Sequence, residues 1–221
     1  MLDGVRRRYY RTRAAEPLRV LLGRAAPPPS TPIAEAPLLA LDLELTGLDP
    51  RRAEVISVGF VPVEGLRLRL DRAERHLVRP QGTVEGSAHV HHLTDAELVQ
   101  AGPLSPAIEA TLRALAGRAL LVHHARLDFA ILCRICRELY GGPLIVPIVD
   151  TLALAYRAAT RGDRMPEQGS LRLPALRAKY GLPVAKLHGA LSDAAATAEL
   201  FLAMAAERGP RARLGDFLSA R

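Results

Sequence analysis

The stretch Leu38-Leu39-Ala40-Leu41-Asp42-Leu43-Glu44-Leu45-Thr46-Gly47-Leu48-Asp49-Pro50 decides how the rest of the chain is read. Its apolar run has the length and composition of a buried strand and breaks at a Thr-Gly turn. Residues two apart on a strand share a face, so Asp42 and Glu44 project together. Two carboxylates on one buried face repel and lose hydration, which is costly unless a positive partner stands between them. Hard divalent cations such as Mg²⁺ or Mn²⁺ suit a pair of oxygen ligands. The same pattern also fits a strand end where one carboxylate caps the turn and the other is solvated. The remaining residues have to choose.

Downstream, residues 54–63 read as a second strand. The strict alternation of Leu66-Arg67-Leu68-Arg69-Leu70 reads as a third, continuing towards Val78, with Gly65 suited to the tight turn between them. A helix is predicted over 105–116, an apolar strand over 119–123, a helix over 127–140 stopped by Gly141-Gly142-Pro143, and a short strand over 144–149. Helices follow over 151–159, 170–180 and 192–207. Three meander strands and then β-α-β-α imply an α/β fold, one mixed five-stranded sheet flanked by helices. Sites in such sheets gather at the carboxyl ends of strands and at adjoining helix starts.

A length of 221 residues allows one full core with an appendage. The boundaries read as a basic N-terminal extension and Pro-rich linker over 1–35, a main domain over 36–208 and a short tail over 209–221. Net charge +7 and a pI near 10.1 favour a polyanionic partner such as nucleic acid. Lys179 and Lys186 are the sole lysines, however, so the Arg-rich composition reflects coding bias as much as a phosphate-binding surface. Aromatics are sparse, with no Trp, which argues against a base-stacking platform of many rings. Cys133 and Cys136 form a lone C-x-x-C inside a helical pattern and read as packing of a reduced helix face rather than a zinc or redox pair. No apolar run reaches the ~20 residues of a membrane span, and the chain reads as cytoplasmic.

Two later stretches offer partners for the opening carboxylates. In His123-His124-Ala125-Arg126-Leu127-Asp128, Asp128 lies where a strand runs into a helix; in His188-Gly189-Ala190-Leu191-Ser192-Asp193, a histidine precedes a helix with an acid in its first turn. Each alone fits a helix-start charge or cap. Together, D-x-E, the junction aspartate and H-x4-D resemble the DEDD exonucleases of the histidine variety. That group contains the proofreading epsilon subunit of bacterial DNA polymerase III, ribonuclease T and oligoribonuclease. The resemblance extends over about 37–205 and includes Glu54-Val55-Ile56-Ser57-Val58-Gly59 and Asp150-Thr151-Leu152. The tyrosine subgroup would need Tyr where Gly189 stands.

The resemblance implies a ribonuclease H-like fold and a 3′-to-5′ exonuclease. Asp42, Glu44, Asp128 and Asp193 would bind two Mg²⁺ or Mn²⁺ ions, and His188 would be the general base. Two ions about 4 Å apart can activate a water and stabilise the leaving oxygen. The substrate would be the 3′ end of single-stranded nucleic acid, DNA ahead of RNA, near Leu45, Thr46, Gly47, Leu48 and His91. A ribonuclease-T-like exoribonuclease and a catalytically silent binding or scaffold domain are the alternatives. Leu45, His92, His124 and Leu127 depart from the residues common in the family.

Overall fold

The computed structural model describes residues 2–80, 101–160, 165–185 and 188–219. Strand β1 (Leu38–Leu45) lies at the centre of the sheet, hydrogen-bonded on both sides. It runs antiparallel to β2 (Val55–Glu64) and parallel to β5 (Ala119–Val122), which in turn pairs in parallel with β6 (Ile148–Asp150). A strand with no free edge and covered faces can be apolar on both sides. Leu39, Leu41, Leu43 and Leu45 enter one core cluster, and Leu38 and Ala40 enter the other. Asp42 and Glu44 continue the Leu38/Ala40 face, so the alternation read from sequence carries both carboxylates to one side.

Helices cover the two faces. On the Leu39 side lie α3 (Leu104–Leu115) and α4 (Ala125–Tyr140), through Ile108, Leu112, Leu115, Ile131 and Ile135. On the Leu38 side lie α5 (Thr151–Ala159), α6 (Leu173–Lys179) and the long α7 (Ala190–Arg208). The buried Arg177 ties α6 to α7: its guanidinium donates to Ala196 O (2.9 Å) and Pro183 O (3.0 Å) and pairs with Glu199 at 2.7 Å.

Where the expected third strand lies, the chain forms two pieces, β3 (Arg67–Leu68) and β4 (Glu74–Leu77), so the sheet has six strands among the described residues. Both pair with β2, Val63 facing Leu68 and Phe60 facing Glu74. Arg69 holds the intervening excursion, donating to Asp71 and Glu64. Gly65 (φ +60°) and Leu66 (φ +55°) make the two-residue hairpin turn, both with the positive φ that a type I′ turn demands. The strand expected over 144–149 begins only at Ile148. Leu144, Ile145 and Val146 are buried, but Pro147 has no N–H to give a ladder, so pairing starts with its carbonyl, which accepts from Leu120 N at 2.9 Å.

The basic opening forms α1 (Leu2–Arg11), followed by α2 (Leu18–Gly23). Arg7 reaches inward to Ile145 O (2.9 Å) and Leu21 O (3.0 Å), while Leu18, Leu21 and Leu22 enter the Leu39-side core. The Pro-rich stretch lies against the chain's last described residues, with Gly215 N donating to Pro29 O and Ile33 N to Ala212 O. Among the described residues, no helix is long and apolar enough to cross a membrane.

Candidate active site

The carboxylates meet because α7 starts almost in contact with β2. Asp42 is paired with Gly59 and Glu44 with Ser57. A Cβ at Gly59 would lie 2.1 Å from the backbone carbon of Ala190 and the nitrogen of Leu191. Only the absent side chain lets the helix start rest there. Asp193, in the first turn of α7, is thereby brought to the β1 acids, and ligating oxygens of Asp42, Glu44 and Asp193 lie within 4.8 Å of one another. The register shifts between Glu44, opposite Ser57, and Leu45, opposite Val55; irregularities of this kind commonly re-aim side chains beside functional sites.

Asp128 joins from the other layer. It is buried in the first turn of α4, and its charge acts on Asp42 as that of Glu44 acts on it. Burial is the main force on all three aspartates. It holds the Asp42 carboxyl well above the usual carboxylate range, with Asp128, Asp193 and Glu44 adding repulsion. Asp128 is pushed up to about 8, by burial first and then by Asp150 and Glu44. Asp193 is pushed up to about 6 by burial, against the opposing hydrogen bond from His188 N. These groups resist ionisation together unless a cation compensates them.

The donor set fits a hard divalent cation. All its atoms are carboxylate oxygens, and Asp193 Oδ1 is buried with no hydrogen-bond partner among the described residues, an acceptor that a cation would satisfy. The other oxygen, Asp193 Oδ2, accepts from the backbone N–H of His188 at 3.3 Å. His188 is exposed on the loop before α7 and takes a left-handed backbone (φ 75°), so this bond fixes its main chain relative to the acids.

Of the expected substrate contacts, Thr46 is tied into its turn: its N–H donates to Glu54 O and its Oγ1 accepts from Glu54 N, both at 2.9 Å. Gly47 is exposed, and Leu48 is 84% exposed, too much for a residue serving the core. Leu45, expected beside the substrate, instead turns its side chain into the core, leaving only its main chain for that role. His91 and His92 lie outside the described residues. Cys133 and Cys136 are free and buried, and burial pushes the Cys136 thiol up to about 12, as packing residues would show.

Sequence reasoning gave no role to two residues that build the site, although both stand in stretches that carry the family resemblance. Gly59 appeared only inside a strand, where nothing in the local pattern marks a close helix approach. Asp150, the last residue of β6, is buried and accepts four backbone N–H bonds: from His124 (3.0 Å), Leu152 (2.9 Å) and Ala153 (3.3 Å) at Oδ1, and from Ala125 (2.9 Å) at Oδ2. Its signal was an acid followed by Thr at a strand-to-helix junction. Beside it, burial lowers His123 to about 4, leaving a neutral ring with Nδ1 2.8 Å from Thr151 Oγ1. Thr151 Oγ1 also lies 3.3 Å from Val122 O, so this hydroxyl bridges the ring and the end of β5.

A mixed sheet with acids on its first strand and on two adjoining helix starts is a ribonuclease H-like fold. The chain belongs to the RNase T exonuclease family, whose profile matches residues 39–201. It is 29% identical over 170 residues to the PolC-type DNA polymerase III of Thermotoga maritima, a match covering 76% of this chain. The chain spans only 12% of that relative's length. Among solved structures it resembles the nuclease domain of 3′hExo, a DEDDh family member bound to rAMP. The TM-score is 0.65 at 14% identity, over 86% of this chain and all of that one. It also resembles E. coli exonuclease I in complex with a dT13 oligonucleotide, with a TM-score of 0.61 at 18% identity, over 83% of this chain and 43% of that one. The domain is therefore an exonuclease domain of the RNase T family.

Proposed function

We propose that this chain is a divalent-metal-dependent 3′-to-5′ exonuclease that shortens single-stranded DNA, releasing nucleoside 5′-monophosphates. The observation that carries the reading is the buried Asp193 Oδ1, without a hydrogen-bond partner among the described residues, within a group of mutually repelling carboxylates. Asp42, Glu44 and Asp193, with Asp128 beside them, would hold Mg²⁺ or Mn²⁺. When bound, the metal would polarise the phosphate and lower the cost of ionising the attacking water. His188 takes the proton of that water as its oxygen bonds to phosphorus; exposure on a loop lets the ring return the proton to solvent. The P–O3′ bond breaks, the 3′ oxygen of the shortened strand takes up a proton, and the terminal nucleotide leaves. The exposed Leu48 packs against the terminal base, and the locked Thr46–Gly47 turn sets the 3′-hydroxyl.

DNA is preferred because the curated relatives are DNA polymerases and a solved neighbour holds dT13. RNA is the second reading, favoured by the neighbour bound to rAMP. The test is degradation of DNA and RNA strands of one sequence, labelled at either end, with chromatography of the released mononucleotides. Labelled 5′-monophosphate released at once from the 3′ label, with the 5′ label shortening stepwise, is expected. Release from the 5′ label first would overturn the polarity, and faster loss of RNA would overturn the preference.

A further inference from the structure

Asp150 stands outside the carboxylate group but is built into it through the backbone. Its two oxygens serve two helix starts at once. Oδ1 caps α5 through Leu152 and Ala153 and also accepts from His124 N; Oδ2 accepts from Ala125 N, the first residue of α4. His124 holds a left-handed backbone (φ 85°, ψ 60°), a conformation that costs a residue with a side chain free energy unless neighbours impose it. His123 and Val122 are pinned to the same junction through Thr151 Oγ1. Asp128 lies three residues beyond Ala125, in the same helical turn. Whatever sets the position of that turn sets the aim of the Asp128 carboxylate.

We propose that Asp150 is a positioning residue for Asp128, its carboxylate clamping the β5–α4 turn to the β6–α5 turn. The inference rests on the reading of Asp42, Glu44, Asp128 and Asp193 as metal ligands. It differs from two simpler roles. As a helix cap alone, Asp150 would be replaceable by Asn, since Asn and Asp cap equally well. As a charge alone, it would be replaceable by Glu.

The clamp predicts that neither replacement works. Asp150→Asn keeps the acceptor for His124, Leu152 and Ala153 but turns an amide NH₂ towards the Ala125 N–H, and Asp150→Glu keeps the charge while displacing both oxygens. In the full chain, Asp150→Asn should melt within ~2 °C of the parent. In the same metal-free protein, hydrogen exchange should show the Ala125 amide losing its protection. Calorimetric titration with Mn²⁺ should then show ~10–100-fold weaker binding for both variants, with kcat falling in parallel and KM for DNA unchanged. Parent-like Mn²⁺ affinity and kcat in Asp150→Asn, or in a folded Asp150→Glu, would overturn the clamp. Asp42→Ala, run alongside, separates the two levels. If it too binds Mn²⁺ like the parent, the metal-site reading fails; if it alone loses binding, only the clamp fails.

Discussion

Adding a single methyl group at Gly59 should disable the site from outside it. In Gly59→Ala the new carbon would stand 2.1 Å from the Ala190 carbonyl carbon and the Leu191 nitrogen, and 2.4 Å from the Ala190 oxygen. Ordinary carbon contacts need ~3.5 Å. All three neighbours are backbone, so no flexible side chain can yield; α7 must retreat by more than an ångström or β2 must sag. Overpacking of this kind costs ~1–3 kcal/mol, which for a chain of this size lowers Tm by roughly 2–12 °C. The retreating helix carries Asp193 away from Asp42 and Glu44, and a misplacement of about 1 Å in a reacting constellation costs ~10²-fold in rate. Thermal unfolding, Mn²⁺ titration and initial rates on a labelled oligonucleotide would be compared with Gly4→Ala, where a Cβ meets nothing within 4 Å. Gly59→Ala with Tm, Mn²⁺ affinity and kcat all matching Gly4→Ala would refute the close-approach argument.

Other expectations follow from the electrostatics and burial. Asp128 and Asp193 are pushed up to about 8 and about 6 in the folded protein, against ~4 for an unfolded chain. Between pH ~4 and ~8 the metal-free native state therefore binds more protons than the unfolded one, and its stability falls as pH rises through that window. In EDTA, Tm should be lower at pH 8 than at pH 5, and Asp128→Asn should raise it at pH 8 by removing a carboxylate that resists ionisation; a lower Tm for that variant at pH 8 would contradict the sign. His188→Ala should cut kcat by ~10²–10⁴-fold, the range of a lost general base, while DNA affinity measured with Ca²⁺ holds; equal losses in both would argue against a base. Cys133 and Cys136 should resist a maleimide in the folded protein at pH 8 and react fully in guanidinium, and rapid folded-state labelling would contradict their burial.

What sequence disclosed here and what it did not divide along a physical line. Strand alternation, which is local, put Asp42 and Glu44 on one face. What joined them to Asp128 and Asp193 was the family resemblance, since each stretch alone also fits a cap or a helix-start charge. The second partner of each junction was not legible. The prediction placed the start of α4 at residue 127, two residues late, since its first amides are satisfied by Asp150, more than twenty residues downstream. Gly59 looked like one more small residue in a strand until the helix above it was in view. Leu144-Ile145-Val146 reads as a strand by composition, yet burial without a ladder gives the same composition. The Pro-rich stretch showed stiffness but not that it lies against residues near the chain's far end. Periodicity reports which way a side chain points; it is silent about what the fold brings to meet it.

The most direct measurement is the fate of a 5′-labelled single-stranded DNA incubated with the parent protein and with Asp42→Ala, each in Mg²⁺, Mn²⁺ or EDTA. A ladder shortening from the 3′ end with metal, absent in EDTA and absent in a folded Asp42→Ala, is the expected result. Asp42→Ala producing the same ladder as the parent, or the parent shortening DNA equally well in EDTA, would contradict a carboxylate-held metal site as the seat of catalysis.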